Sequence, residues 1–93
     1  AGNVVGSGDF RAQAEQVFAN LERALAAAGA TFADVVKLNF YVRDVSRLAD
    51  LRAARDRHVN AAAPPASTLV EVSRLFRDDV LLEVEAVAAL PAR

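Results

Sequence analysis

The 93-residue chain is 54% hydrophobic, chiefly Ala and Val, and a single domain of this size buries only about 60–65% of its surface, so the apolar surplus points to a subunit interface. Eleven Lys and Arg against twelve Asp and Glu, with no basic block, exclude the electrostatic footprint of a nucleic-acid binder. With no Cys, disulfides, thiolate zinc sites and cysteine nucleophiles are excluded and a cytoplasmic setting is expected; no apolar run approaches the roughly 20 residues that span a membrane.

Three of the four glycines lie in Ala1 to Gly8, which reads as a loop. Asp9 to Ala28 is the first helix. Phe10, Ala14, Val17, Phe18, Leu21 and Leu25 recur at helical spacing as one apolar stripe, while Arg11, Glu15, Glu22 and Arg23 form the solvated face. Ser7 or Asp9 caps its start and Gly29 stops it in the left-handed conformation. Val35 to Arg43 alternates as a strand, with Val36, Leu38, Phe40 and Val42 on one face and Val35, Lys37, Asn39, Tyr41 and Arg43 on the other.

Asp44 to Asn60 is a second helix with Ser46 as its cap and a weaker stripe of Leu48, Leu51, Arg55 and Val59, ended by Ala61-Ala62-Ala63-Pro64-Pro65. Ser67 to Arg74 is a strand with Leu69 and Glu71 on one face and Thr68, Val70 and Val72 on the other. Phe76 to Asp79 turns the chain into the last strand, Val80 to Leu90. There Val80, Leu82, Val84, Ala86, Ala88 and Leu90 line one face.

Helix, strand, helix, strand, strand predicts an α+β domain with both helices on one face of a mixed sheet. The first two strands should be parallel with a right-handed crossover, and the last two an antiparallel hairpin. The other sheet face, with Leu81 and Val87, is then bare in one protomer, and sister copies are expected to cover it.

Asp34-Val35-Val36-Lys37 followed by Tyr41-Val42-Arg43-Asp44 resembles the "D-V-V-K…V-x-D" strand of the RidA (YjgF/YER057c/UK114) family. Pro65 to Val72 resembles its "P-A-R-S-x-V-x-V" segment, Leu82 to Ala88 its closing "I-E-I-E-A-I-A" strand, and Gln13 to Gly29 its first helix. The resemblance implies a chorismate-mutase-like (YjgF-like) fold, a homotrimer with small-molecule clefts between subunits, and hydrolysis of reactive imines and enamines to 2-oxoacids and ammonia without metal or organic cofactor. The family also carries an older endoribonuclease label. Its members begin with two further strands and an "S-G-Q" segment lining the cleft, and Ala1 to Gly8 resembles the loop after them, so a longer natural N-terminus is expected. The family's arginine, which holds the substrate carboxylate, falls at Ser67, placing the chain in an arginine-lacking branch.

Glu83 aligns with the glutamate that orders the attacking water and is the candidate catalytic residue, against a plain ion-paired role. Ser67, Thr68 and Tyr41 are candidate substrate-binding residues; each has a structural alternative as a strand start or an interface side chain. Glu85 shares a strand face with Glu83, but no His neighbours them and no metal is expected. The sole histidine, His58, reads as a helix-end side chain rather than the base of a Ser-His pair. Arg47, Arg52, Arg55 and Arg57 crowd the second helix; they form a solvated face, or Arg55 or Arg57 replaces the missing guanidinium. The leading reading is a hydrolase of small C–N substrates, and the alternative is a trimeric metabolite-binding module without turnover; neither nucleic acid nor membrane is an expected partner.

Overall fold

Helix α1 (Phe10–Ala27) opens on Asp9, whose carboxylate accepts from the Ala12 N–H at 3.1 Å and so satisfies one of the first turn's orphan donors. The computed structural model describes residues 8–60 and 62–90, so the alternative cap, Ser7, lies outside them. The helix closes as its periodicity requires: Gly29 sits at φ +77°, its N–H donates to the Ala26 carbonyl at 3.0 Å, and the Ala30 N–H donates to the Leu25 carbonyl at 2.8 Å. Phe10, Ala14, Phe18 and Leu25 are buried, with Val17 and Leu21 packed beside them.

A 3-10 turn at Phe32–Asp34 carries a capping box in which the Thr31 hydroxyl accepts from the Ala33 N–H and the Asp34 carboxylate accepts from the Thr31 N–H. It delivers strand β1 (Val35–Val42). Strand β1 pairs parallel with β2 (Ala66–Glu71) and antiparallel with β3 (Leu82–Ala88), giving the order β2-β1-β3. The last two strands are therefore not a hairpin. Their connection over residues 72–81 is too long for a tight turn and passes the end of β1, where the Arg43 N–H donates to the Leu81 carbonyl and the Val72 N–H to the Val42 carbonyl. Alternation specifies which face a strand buries but not which strand lies beside it. Leu38, Phe40 and Val42, almost fully buried, make β1 the natural centre.

The face assignment of β1 also shifts at its start. A β-bulge between Val35 and Lys37 breaks the register with β3, so Val35 is buried and Val36 is 49% exposed, the reverse of strict alternation.

The second helix is shorter than its sequence span. A 3-10 turn at Val45–Arg47 comes first, capped by Asp44 and not by Ser46: the Asp44 carboxylate accepts from both the N–H and the hydroxyl of Ser46. Helix α2 (Leu48–Asp56) then ends well before the prolines, and Ala61, in the stretch between, lies outside the described residues. Leu51 and Ala54 are buried, and Leu48 and Val59 pack on the core.

Both helices cover one face of the mixed sheet, as expected, with Phe18, Leu38, Leu82 and Val42 at the centre. Each such side chain contributes about 1.5–3 kcal/mol by leaving water. Leu81 needs no outside cover, because it packs partly against this core. Val70 and Val87 do remain on the open face, at 40% and 52% exposure.

Candidate functional site

Parallel pairing of β1 with β2 places Ser67 beside Leu38 and Leu69 beside Phe40, so Ser67 and Leu69 project to the helix side of the sheet. Opposite them, Leu48, Leu51, Arg52 and Arg55 follow the i, i+3, i+4, i+7 spacing of a single helix face. Between the two runs lies a cleft of about 210 Å³ that also touches Phe40. Its walls are apolar except for Ser67 and the two arginines. The Ser67 hydroxyl donates to the Pro65 carbonyl at 3.5 Å, a long contact.

Arg55 holds one oxygen of the neighbouring Asp56 through Nε at 3.1 Å and Nη2 at 3.0 Å. Arg52 has no ion pair among the described residues. Arg57, the other arginine expected as a substitute, turns to α1 and pairs with Glu15 at 2.8 Å, away from the cleft. Composition alone marks Arg52 as one of the solvated arginines. Its place one turn beyond Leu48 was the signal that could have assigned it.

The remaining candidates sit on the opposite, open face. Cross-strand register forms two rows, Thr68–Asn39–Glu85 and Val70–Tyr41–Glu83. A hydrogen bond to Glu85 raises the Tyr41 phenol's pKa above its ordinary value, assisted by partial desolvation and by the charges of Glu85 and Glu83. Within one protomer, therefore, Thr68, Tyr41 and Glu83 share a face, and Ser67 is on the other side of the sheet. Adjacent residues in a strand point oppositely, so Ser67 and Thr68 never belonged to one wall.

His58 takes no part in either group. Its ring stacks on Phe18 at 5.5 Å, lies 5.2 Å from Phe32, and places Nδ1 3.3 Å from the Glu22 carboxylate, so it is a packing residue and no Ser-His pair forms. Among the described residues no group of three or more His, Asp or Glu is arranged to hold a metal, and no helix is long and apolar enough to cross a membrane.

A larger groove of about 570 Å³ runs between α1 and the outer edge of β3, with Val17, Leu21 and Val84 along it and Glu83 and Glu85 at its rim. It follows a sheet edge and has no cationic lining residue, so the smaller cleft is the better cradle for a charged small molecule.

The sequence profile of the endoribonuclease L-PSP family matches residues 1–90. A RutC family protein of Synechocystis sp. is 38% identical over 88 residues, covering 95% of this chain and 67% of its own length. A 2-iminobutanoate/2-iminopropanoate deaminase of Salmonella typhimurium is 37% identical over 82 residues, covering 86% of this chain and 63% of its own length. The chain thus spans about two thirds of the length of these curated relatives. Among solved structures, a conserved Rid family protein of unknown function from Yersinia pestis superposes with a TM-score of 0.87 at 41% identity, covering 96% of this chain and 68% of that one.

Proposed function

The chain belongs to the endoribonuclease L-PSP family, the RidA/YjgF family its motifs resemble, and on that premise we propose that it is a metal-free hydrolase of small imines or enamines working in clefts completed between three copies. The observation that carries this reading is the division of the candidate residues. Ser67 lines the α2–β2 cleft and Glu83 the open face, so a ligand-holding wall and a water-positioning carboxylate meet only when another copy supplies one of them. Exposed Val70 and Val87, on the face that also carries Tyr41 and is otherwise largely polar, support such an assembly.

In the reaction, the Glu83 carboxylate takes a proton from water as the oxygen attacks the C=N carbon, giving a carbinolamine. The proton held by Glu83 passes to the nitrogen to complete the carbinolamine; its hydroxyl proton then transfers to that nitrogen, the C–N bond breaks to release ammonia, and the C=O bond forms. Thr68 and Tyr41 provide hydroxyls on the same face for positioning. RNA cleavage, the family description notwithstanding, has no support in a chain of formal charge −1 without a basic surface block.

With Ser67 where the family arginine resides, a carboxylate-bearing imine loses a charge-assisted contact at that position, a loss of roughly one to three orders of magnitude in rate. Pyruvate and ammonia release from 2-iminopropanoate, above the buffer rate, is expected to be slower by that margin than for the Salmonella deaminase. Ser67→Arg should raise it, and Glu83→Gln should lower it about 10²–10⁴-fold. If neither the parent nor Ser67→Arg accelerates release over buffer, the hydrolase reading is wrong. The uncharged Ser67 hydroxyl in a largely apolar cleft then favours the second reading, a metabolite-binding module, in which small carboxylates or amides raise the melting temperature with concentration but are not turned over.

A further inference from the structure

We propose that Glu85 is a positioning residue that makes Tyr41 a hydrogen-bond acceptor for the attacking water: the phenol donates its one proton to Glu85 and offers its oxygen to a water seated against Glu83. This rests on the reading above in taking Glu83 as the base.

Antiparallel register makes Tyr41 and Glu83 direct partners and sets Glu85 diagonally from Tyr41, opposite Asn39. All four side chains leave the same face of the sheet. Directly opposed side chains start about 4.5–5.5 Å apart at Cβ, and a diagonal neighbour stays within reach of an aromatic side chain. Tyr41 therefore has two carboxylates to choose from. It takes the diagonal one: the phenol is hydrogen-bonded to Glu85, and Glu83 acts on it through its charge. Tyr41, Asn39 and Glu83 are half-buried, so bulk water is thinned around the pair.

A phenol has a single donor. With that proton directed at Glu85, Tyr41 has none left for Glu83, for a substrate carboxylate or for the leaving nitrogen. It keeps its capacity to accept. The contact with Glu85, with the charges of both glutamates, raises the phenol's pKa, so the proton stays on Tyr41 at neutral pH. A water fits these neighbours, because its two protons meet two acceptors, the Glu83 carboxylate and the Tyr41 oxygen, and its lone pairs point away from both. As the C–O bond forms, the proton facing Glu83 passes to the carboxylate and the C=N electron pair moves to nitrogen. The hydrogen facing Tyr41 stays on oxygen and becomes the carbinolamine hydroxyl. Tyr41 neither gains nor loses a proton. Without Glu85 the phenol turns its proton on Glu83 and occupies the lone pair the base needs.

The test is steady-state hydrolysis of 2-iminopropanoate by the assembled protein, paired with its crystal structure. Tyr41→Phe should lower kcat about 5–10-fold, the worth of one neutral hydrogen bond, and leave KM within about twofold, because Tyr41 holds the water and not the substrate. Glu85→Val should lower kcat about 10–100-fold, since the phenol then donates to Glu83. Glu85→Gln keeps a carbonyl that accepts the phenol proton and should stay within about threefold of the parent. The double variant Tyr41→Phe, Glu85→Val should return to the rate of Tyr41→Phe alone, because Glu85 acts only through the hydroxyl. Phe and Val suit strands, and circular dichroism with sedimentation verifies fold and assembly. The crystal structure should show a water within about 3 Å of both Tyr41 Oη and a Glu83 oxygen, absent from Tyr41→Phe. Losses that multiply in the double variant, or kcat unchanged in Tyr41→Phe, overturn the proposal. That water without hydrolysis over buffer would sink the hydrolase reading and leave the water seat standing. Glu83-dependent hydrolysis without the water would do the reverse, and the absence of both overturns both.

Discussion

Gln13 shows how one polar residue on an apolar stripe can organise a loop. It is 4% exposed, and its amide donates to the Asp79 carbonyl and accepts from the Leu81 N–H, both at 2.8 Å. These two bonds tie α1 to the connection that carries the chain past β1 into β3. Truncation leaves buried backbone groups without partners, so Gln13→Ala should destabilise the fold by about 1–3 kcal/mol in urea titrations. Nothing in the helical periodicity marks this residue, because its partners are remote in sequence. Tyr41 offers a second test at this scale, since it is the only tyrosine and the chain has no Trp. Its pKa is raised in the folded state. The stabilisation this represents is present below the unfolded phenol's pKa of about 10 and is lost as pH rises through the folded value. Ultraviolet titration of phenolate formation should give a midpoint above about 10, falling back in Glu85→Gln. A midpoint unchanged by that substitution would dissociate Tyr41 from Glu85.

At the scale of elements, the stops and caps were legible where the signal is local. Gly29 is the clearest case, a residue in the left-handed region whose two N–H groups' worth of closure, its own and that of Ala30, seals the end of α1. A side chain there is strained, so Gly29→Ala should cost about 1–2 kcal/mol and lower the melting temperature by several degrees. The second helix was less legible. Ser46 and Asp44 are both good caps by composition, and the 3-10 turn that lets the Asp44 carboxylate receive both Ser46 donors decides between them. The bulge in β1 is a similar case. Val35 and Val36 are chemically the same, and only pairing with β3 determines which one turns inward.

At the scale of the whole molecule, one face of the sheet is shielded by two helices, and the other presents Tyr41, Val70 and Val87. If sister copies cover that face, Val87→Glu should leave the secondary structure intact and reduce the sedimenting mass from three protomers to one, because a further carboxylate two residues from Glu85 is tolerated in water and is costly where a seam closes over Val70 and Val87. A trimer that survives the substitution would place the interface elsewhere. The amino-acid sequence by itself determined the class of each major element, the apolar faces of α1 and β3 and the residue types available for chemistry, since these depend on periodicities of a few residues. The tertiary structure alone decided that β1 separates β2 from β3, that Ser67 and Glu83 lie on opposite faces, and that Arg52 shares a cleft with Ser67. Those relations join residues distant along the chain, and they follow from how strands compete for the central position and how helix α2 settles on the sheet, which no local pattern encodes.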